Sequence, residues 1–249
     1  TRTHKVEVNT ISELKPDDRY QFIFLTVREN QVEEALEDIR ENKSPNIVTM
    51  VNTIKPYGRW EKICGKGKIL PAFPGAGGCI EGGILDAQLL PRAIQPTTFG
   101  EIGGRKSSRE EALAYIFRKS HIPYQIVPEM HHWQISHLGV IIPLADAYYQ
   151  SRHPEKICAN EKLMTLTAYR MKKNLKWIAQ KGMLCPAKLY MIKDMPTGML
   201  AGVLSRVYQS EFGNRFLYRH AMHAPEEFQW LHQEFYNYMK THTKESNKA

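Results

Sequence analysis

QFIFLTVRENQVEEALEDIRENKSPNIVTMVNTI, residues 21–54, decides the fold. Residues 22–27 are apolar almost throughout, the pattern of a strand covered on both faces. After them Val32, Ala35, Leu36 and Ile39 recur at spacings that place them on one face of a helix. Pro45 interrupts, and residues 46–51 form a second apolar run. Strand, helix and strand within this length predict a β-α-β unit, whose crossover makes the two strands parallel.

Downstream of this unit, residues 68–73 (KILPAF) read as a further strand and residues 74–83 (PGAGGCIEGG) as a glycine-rich loop. Residues 88–104 read as short antiparallel strands broken by Pro and Gly. Ser108 is the expected N-cap of an amphipathic helix, and residues 124–127 close the region as a last strand. Beyond Pro128 the strand alternation stops. Helices are expected over residues 131–149, 161–181, 197–212 and 225–240, with Asn160 capping the second and a polar, frayed tail after the fourth. The last of them turns Phe228, Leu231, Phe235 and Met239 inward. The organisation expected is an α/β domain over residues 1–126 and an all-helical domain over residues 127–249.

The formal charge of +8 raises nucleic-acid binding as a class. Its densest basic run, residues 170–176 (RMKKNLK), spaces Met171 and Leu175 as the inward side of a helix with a solvated basic face, so no nucleic-acid partner is expected. A basic surface suits an anionic dinucleotide phosphate equally well. No apolar run is long enough to span a membrane. Cys64, Cys79, Cys158 and Cys185 show neither paired nor zinc-type spacing, and read as reduced thiols of a cytoplasmic protein with no metal. The GAGG run at residues 75–78 follows a strand, but a dinucleotide fingerprint would need its third glycine where Ile80 stands.

TVR, EEAL and VNT, then FGEIGG, an amphipathic helix, and a helix carrying Trp133 and the Pro143-Leu144 pair follow one another in an order that resembles the ketopantoate reductase (2-dehydropantoate 2-reductase) family. The resemblance runs from about His4 to the helical end. It implies an incomplete Rossmann-like domain followed by an all-α domain of the ketopantoate reductase or 6-phosphogluconate dehydrogenase C-terminal type. On the family pattern residues 5–8 are already a later strand, and the unit with the pyrophosphate-binding glycine turn would precede Thr1.

The function implied is an NADPH-dependent reductase of ketopantoate or a related 2-oxo acid, with NADP as cofactor. The family's strand-end lysine falls on Arg28, and its asparagine near the nicotinamide falls on Asn52, followed here by Thr53 where the family has glycine. Both are expected cofactor contacts. With the Pro143-Leu144 pair as anchor, the family's general-acid lysine falls on Gln134, and its two substrate-holding asparagines fall on Leu138 and Ile142; anchoring on Trp133 instead puts Ile135 in the lysine slot. Its later-helix carboxylate falls on Glu211. An amide donates a hydrogen bond but supplies no proton, which puts turnover in doubt. His131, His132 and His137 lie close by in sequence and titrate in a useful range. Two readings stay open: a reductase of small 2-oxo acids, and a non-catalytic ligand-binding or interaction protein that keeps the fold. Homodimer and monomer are open as well.

Overall fold

The computed structural model describes residues 5–246. The parallel ladder forms as residues 21–54 predict. Strand β1 (Ile23–Leu25) leads through a 3-10 turn at Glu29–Gln31 into α1 (Val32–Asp38) and then β2 (Ile47–Met50). A second helix, α2 (Gly58–Cys64), leads to β3 (Ile69–Phe73). The two strand pairs are parallel, Phe24 standing beside Val48 and Val48 beside Leu70. Helix α2 carries Trp60 and Cys64 inward at i, i+4, a period too brief in sequence to be distinguished from a loop.

Residues 74–83 are not a loop. They run as β4 (Ala76–Glu81), paired antiparallel with β5 (Ile84–Leu89) in a hairpin that turns at Gly82 and Gly83. Both glycines have positive φ, so the turn is what they serve, and the GAGG run lies in and beside a strand. The main sheet resumes with β6 (Thr97–Phe99), antiparallel to β3, then α3 (Ser108–Lys119) and β7 (Tyr124–Ile126). The N-cap of α3 is Ser107, one residue before the position expected, because its Oγ accepts from the Glu110 amide at 3.2 Å. The five-stranded order is β1-β2-β3-β6-β7.

Helices α1 and α2 cover one face of this sheet through Val32, Leu36, Trp60 and Cys64, packed on Leu25, Ile47 and Ile69. Helix α3 covers the other through Leu113, Ala114 and Phe117, against Val48, Leu70 and Phe99. Strand β1 sits at the edge, where this cover runs out and Phe24 is 42% exposed, so the strand is not buried on both faces. The strand expected over residues 5–8 does not form. Val6 and Val8 are exposed, and no strand among the described residues offers them a ladder.

From Met130 the chain is helical: α4 (Met130–Gln150), a 3-10 segment at Pro154–Ala159, α5 (Glu161–Gln180), α6 (Lys188–Asp194), α7 (Thr197–Gln209), a π-helical stretch at Gly213–Tyr218, α8 (Arg219–His223) and α9 (Pro225–Ser246). Asn160 caps α5 as expected, its Oδ1 accepting from the Leu163 amide at 3.1 Å. Helix α9 runs on through most of the tail expected to fray; residues 1–4 and 247–249 lie outside the described residues. One apolar cluster joins these helices, from Ile135, Leu138 and Ile142 of α4 through Leu175 and Ile178 to Leu231 and Phe235. Helices α4 and α5 approach closely at Gly139, where a Cβ would stand 2.7 Å from Ile178 Cδ1.

Candidate functional site

Parallel strands that leave a sheet in one direction bring the residues after their carboxyl ends together along one edge, the usual position for ligands in an open α/β sheet. Here Arg28 follows β1, Asn52 follows β2 and Phe73 ends β3. Helices α4 and α9 and the short α8 form the facing wall.

Arg28 is exposed, and its backbone amide is capped by Gln31 Oε1 at 3.2 Å. Across from it Glu227, in the first turn of α9, has its carboxyl pKa raised by burial, with the Arg28 guanidinium pulling the other way. Asn52 is 7% exposed, and its Oδ1 has no hydrogen-bond partner among the described residues. A buried carbonyl oxygen left without a donor costs desolvation free energy, about 1–3 kcal/mol, and so marks a place where a donor belongs.

Gln134 is buried at the seam between the two regions. Its Oε1 accepts from the Tyr57 hydroxyl at 2.6 Å, and its Nε2 donates to the Val51 carbonyl at 2.7 Å. Burial, then Glu129, raises the Tyr57 pKa, so the phenol stays neutral and donating. Gln134 thereby ties α4 to the end of β2. Leu138 and Ile142, one and two turns further on, face the helical cluster and are fully buried there. Glu211 is exposed just before the π-helical stretch and makes no ion pair among the described residues. The structure thus brings Arg28, Asn52 and Gln134 to one edge of the sheet and turns Leu138 and Ile142 into the helical cluster, while Glu211 makes no hydrogen bond or ion pair with that edge among the described residues.

The histidines separate in the same way. His131 Nε2 bonds the Ile54 carbonyl at 2.8 Å, a link between the regions, and burial lowers its pKa. His137 stacks on Trp133, with ring centroids 5.0 Å apart and planes 8° from parallel, and meets Phe73 at 4.6 Å. Burial, with His220 of α8 adding repulsion, pushes the His137 pKa down to about 3, so the imidazole is neutral through the physiological range. His220 is also held low, by burial and then by His223. The wall opposite β3 is therefore aromatic and uncharged, while the β1 end carries Arg28.

His220, Glu227 and Tyr57 escaped sequence reasoning. No motif marks them, and they reach this edge only through the packing of α8, α9 and the loop before α2. A network at the same edge also escaped it: Glu29, 5% exposed, pairs with Arg59 of α2, and both reach the Thr53 hydroxyl. Among the described residues no group of His, Cys, Asp or Glu side chains could hold a metal, no helix is long and apolar enough to cross a membrane, and Cys64, Cys158 and Cys185 are free thiols.

No protein-family model matches the sequence, and no curated protein is detectably similar to it. Solved structures are similar in fold. The 2-dehydropantoate 2-reductase of Geobacter metallireducens superposes with a TM-score of 0.55 at 15% identity, over 87% of this chain and 77% of that one. The dimeric ketopantoate reductase of Staphylococcus aureus gives 0.56 at 11% identity, over 87% and 76%. The 2-dehydropantoate 2-reductase of Methylococcus capsulatus gives 0.51 at 16% identity, over 94% and 77%. With the parallel sheet first and the helices after it, this chain has the ketopantoate reductase fold.

Proposed function

We propose that the protein is a nicotinamide-dinucleotide-dependent reductase of a small 2-oxo acid of the ketopantoate kind, with NADPH as the dinucleotide. The observation that carries this reading is the orphaned, buried Oδ1 of Asn52 beside the exposed Arg28 at the carboxyl ends of adjacent parallel strands. These two residues fit parts of a dinucleotide: an acceptor for an amide N–H, and a cation for an anionic group. The +8 formal charge favours the more highly phosphorylated dinucleotide. The glycine turn that cradles a pyrophosphate is not found among the described residues, since the GAGG run belongs to the β4–β5 hairpin.

The dinucleotide, when bound, supplies hydride to the carbonyl carbon of the substrate. The chain's own residues would do the rest. Arg28 draws the anionic ligand to the strand ends, and Glu227 facing it limits the excess of positive charge there. Neutral His137 offers a ring N–H to a carbonyl oxygen but, with its pKa near 3, carries no imidazolium proton to donate at neutral pH. Gln134 holds the two walls at fixed distance and has both amide functions engaged in doing so. That engagement favours a second reading, ligand binding without rapid turnover. The fold-mate from Staphylococcus aureus is dimeric, and exposed Met191, Met199 and Val203 on α6 and α7 give this chain apolar surface for the same kind of assembly.

Titrating the whole chain with NADPH and NADH by calorimetry, followed by assay with a panel of 2-oxo acids, tests the proposal. Binding in which Arg28→Ala and Asn52→Ala each weaken affinity supports it, with turnover selecting the reductase and its absence the binder. No dinucleotide binding and no turnover together overturn it.

A further inference from the structure

The loop after β1 and the loop after β2 are joined by a buried polar network that neither strand pairing nor the apolar core requires. Glu29 follows Arg28 directly, and Thr53 follows Asn52 directly. The Thr53 hydroxyl donates to Glu29 Oε1 at 3.3 Å, and accepts from the Lys55 amide at 3.1 Å and Arg59 Nη2 at 3.2 Å. Arg59 closes the circuit by pairing with Glu29, and its Nη1 holds Glu33 of α1 at 2.7 Å. Thr53 is fully buried and Glu29 nearly so.

We infer that Thr53, Glu29 and Arg59 act as positioning residues that set the separation of Arg28 and Asn52. The inference rests on the reading of those two as dinucleotide contacts. The physical case has three steps. Glu29 and Thr53 are each one peptide bond from a contact residue, so a shift of either carries Arg28 or Asn52 with it. A planar guanidinium that bridges two carboxylates and a hydroxyl at once has little freedom, so both loops are referred to one rigid group on α2. A buried ionic group commonly adds little net stability over an apolar replacement, which leaves the fixing of geometry as its distinguishable effect.

Removing one member of the buried ion pair risks unfolding the chain, so the test uses Thr53→Val, nearly the same shape without the hydroxyl, and Thr53→Ser, which restores it. The affinity of the whole chain for NADPH and NADH is measured for these variants, for Arg28→Ala and for the Thr53→Val/Arg28→Ala double variant. Amide hydrogen exchange of residues 26–31 and 51–55 is followed without any ligand. Thr53→Val is expected to weaken binding about tenfold, to do so much less once Arg28 is absent, and to loosen exchange in both loops together; Thr53→Ser restores all three. Effects that simply add in the double variant, or exchange lost only beside Thr53, reduce the network to ordinary stabilisation and overturn the inference. If the unsubstituted chain binds neither dinucleotide, the cofactor reading fails and this role fails with it. If it binds and Thr53→Val leaves binding unchanged, only the positioning role fails.

Discussion

The sheet region and the helical region place their side chains by different rules. In the sheet region, register does the placing: three parallel strands end on one edge, so Arg28, Asn52 and Phe73 arrive there whatever their side chains prefer. In the helical region, rotation does it. Helix α4 presents Gln134 and His137 to the strand ends while Leu138 and Ile142, on the same helix, turn into the apolar cluster. A substitution on the sheet edge should therefore act on ligand binding, and one on α4 should act on stability, whether it lies in the apolar cluster or at the seam.

The largest effect that would break this contrast is expected from Leu138→Ala. It opens a cavity in the helical cluster and should cost about 2–5 kcal/mol in urea unfolding. A loss well under 1 kcal/mol would mean that this face of α4 is not core. Gln134→Leu should cost somewhat less, roughly 2–4 kcal/mol, because the Tyr57 hydroxyl and the Val51 carbonyl would be left buried without partners. If that variant is as stable as the parent, the seam is not held by this side chain.

His137 sharpens the comparison through pH. Its pKa when folded, about 3, lies below the ordinary value of 6.5, so as pH falls the unfolded chain takes up the proton first. Its contribution is intact above about 6.5 and is lost progressively toward about 3, at roughly 1.4 kcal/mol per pH unit. His131, also held low by burial, adds in the same sense. His137→Phe should flatten the pH dependence of the unfolding free energy between pH 6.5 and 5 by about that slope. An unchanged slope would show that the imidazole is not shielded. The smallest effect is expected at Glu211: Glu211→Ala should move stability by no more than about 0.5 kcal/mol and leave dinucleotide affinity as it was. A clear loss of affinity would return Glu211 to the site.

Much of the sheet region could be read in advance because its signals are local. Apolar runs at residues 22–27 and 46–51 and the spacing of Val32 and Leu36 give β1, α1 and β2 within a few residues. The failures have local causes too. The glycine-rich stretch at residues 74–83 extends because its partner strand follows at once, and pairing outweighs glycine's weak strand preference. Residues 5–8 have the alternation of a strand but no ladder to join. Helices α6 and α8 and the π-helical stretch are too short for periodicity to reveal.

By itself the sequence determined the β1-α1-β2 unit, the succession of a sheet-bearing half and a helical one, and the residues that follow the first two parallel strands, because these depend on spacings of a few residues. Only the tertiary structure decided what those residues meet. The Asn52 oxygen without a donor, the circuit of Glu29, Thr53 and Arg59, the stacking of His137 on Trp133 and against Phe73, and the use of both ends of the Gln134 amide across the seam all join groups from separate elements. Periodicity says which way a side chain leaves its helix or strand; it carries no information about the distant surface that comes to face it.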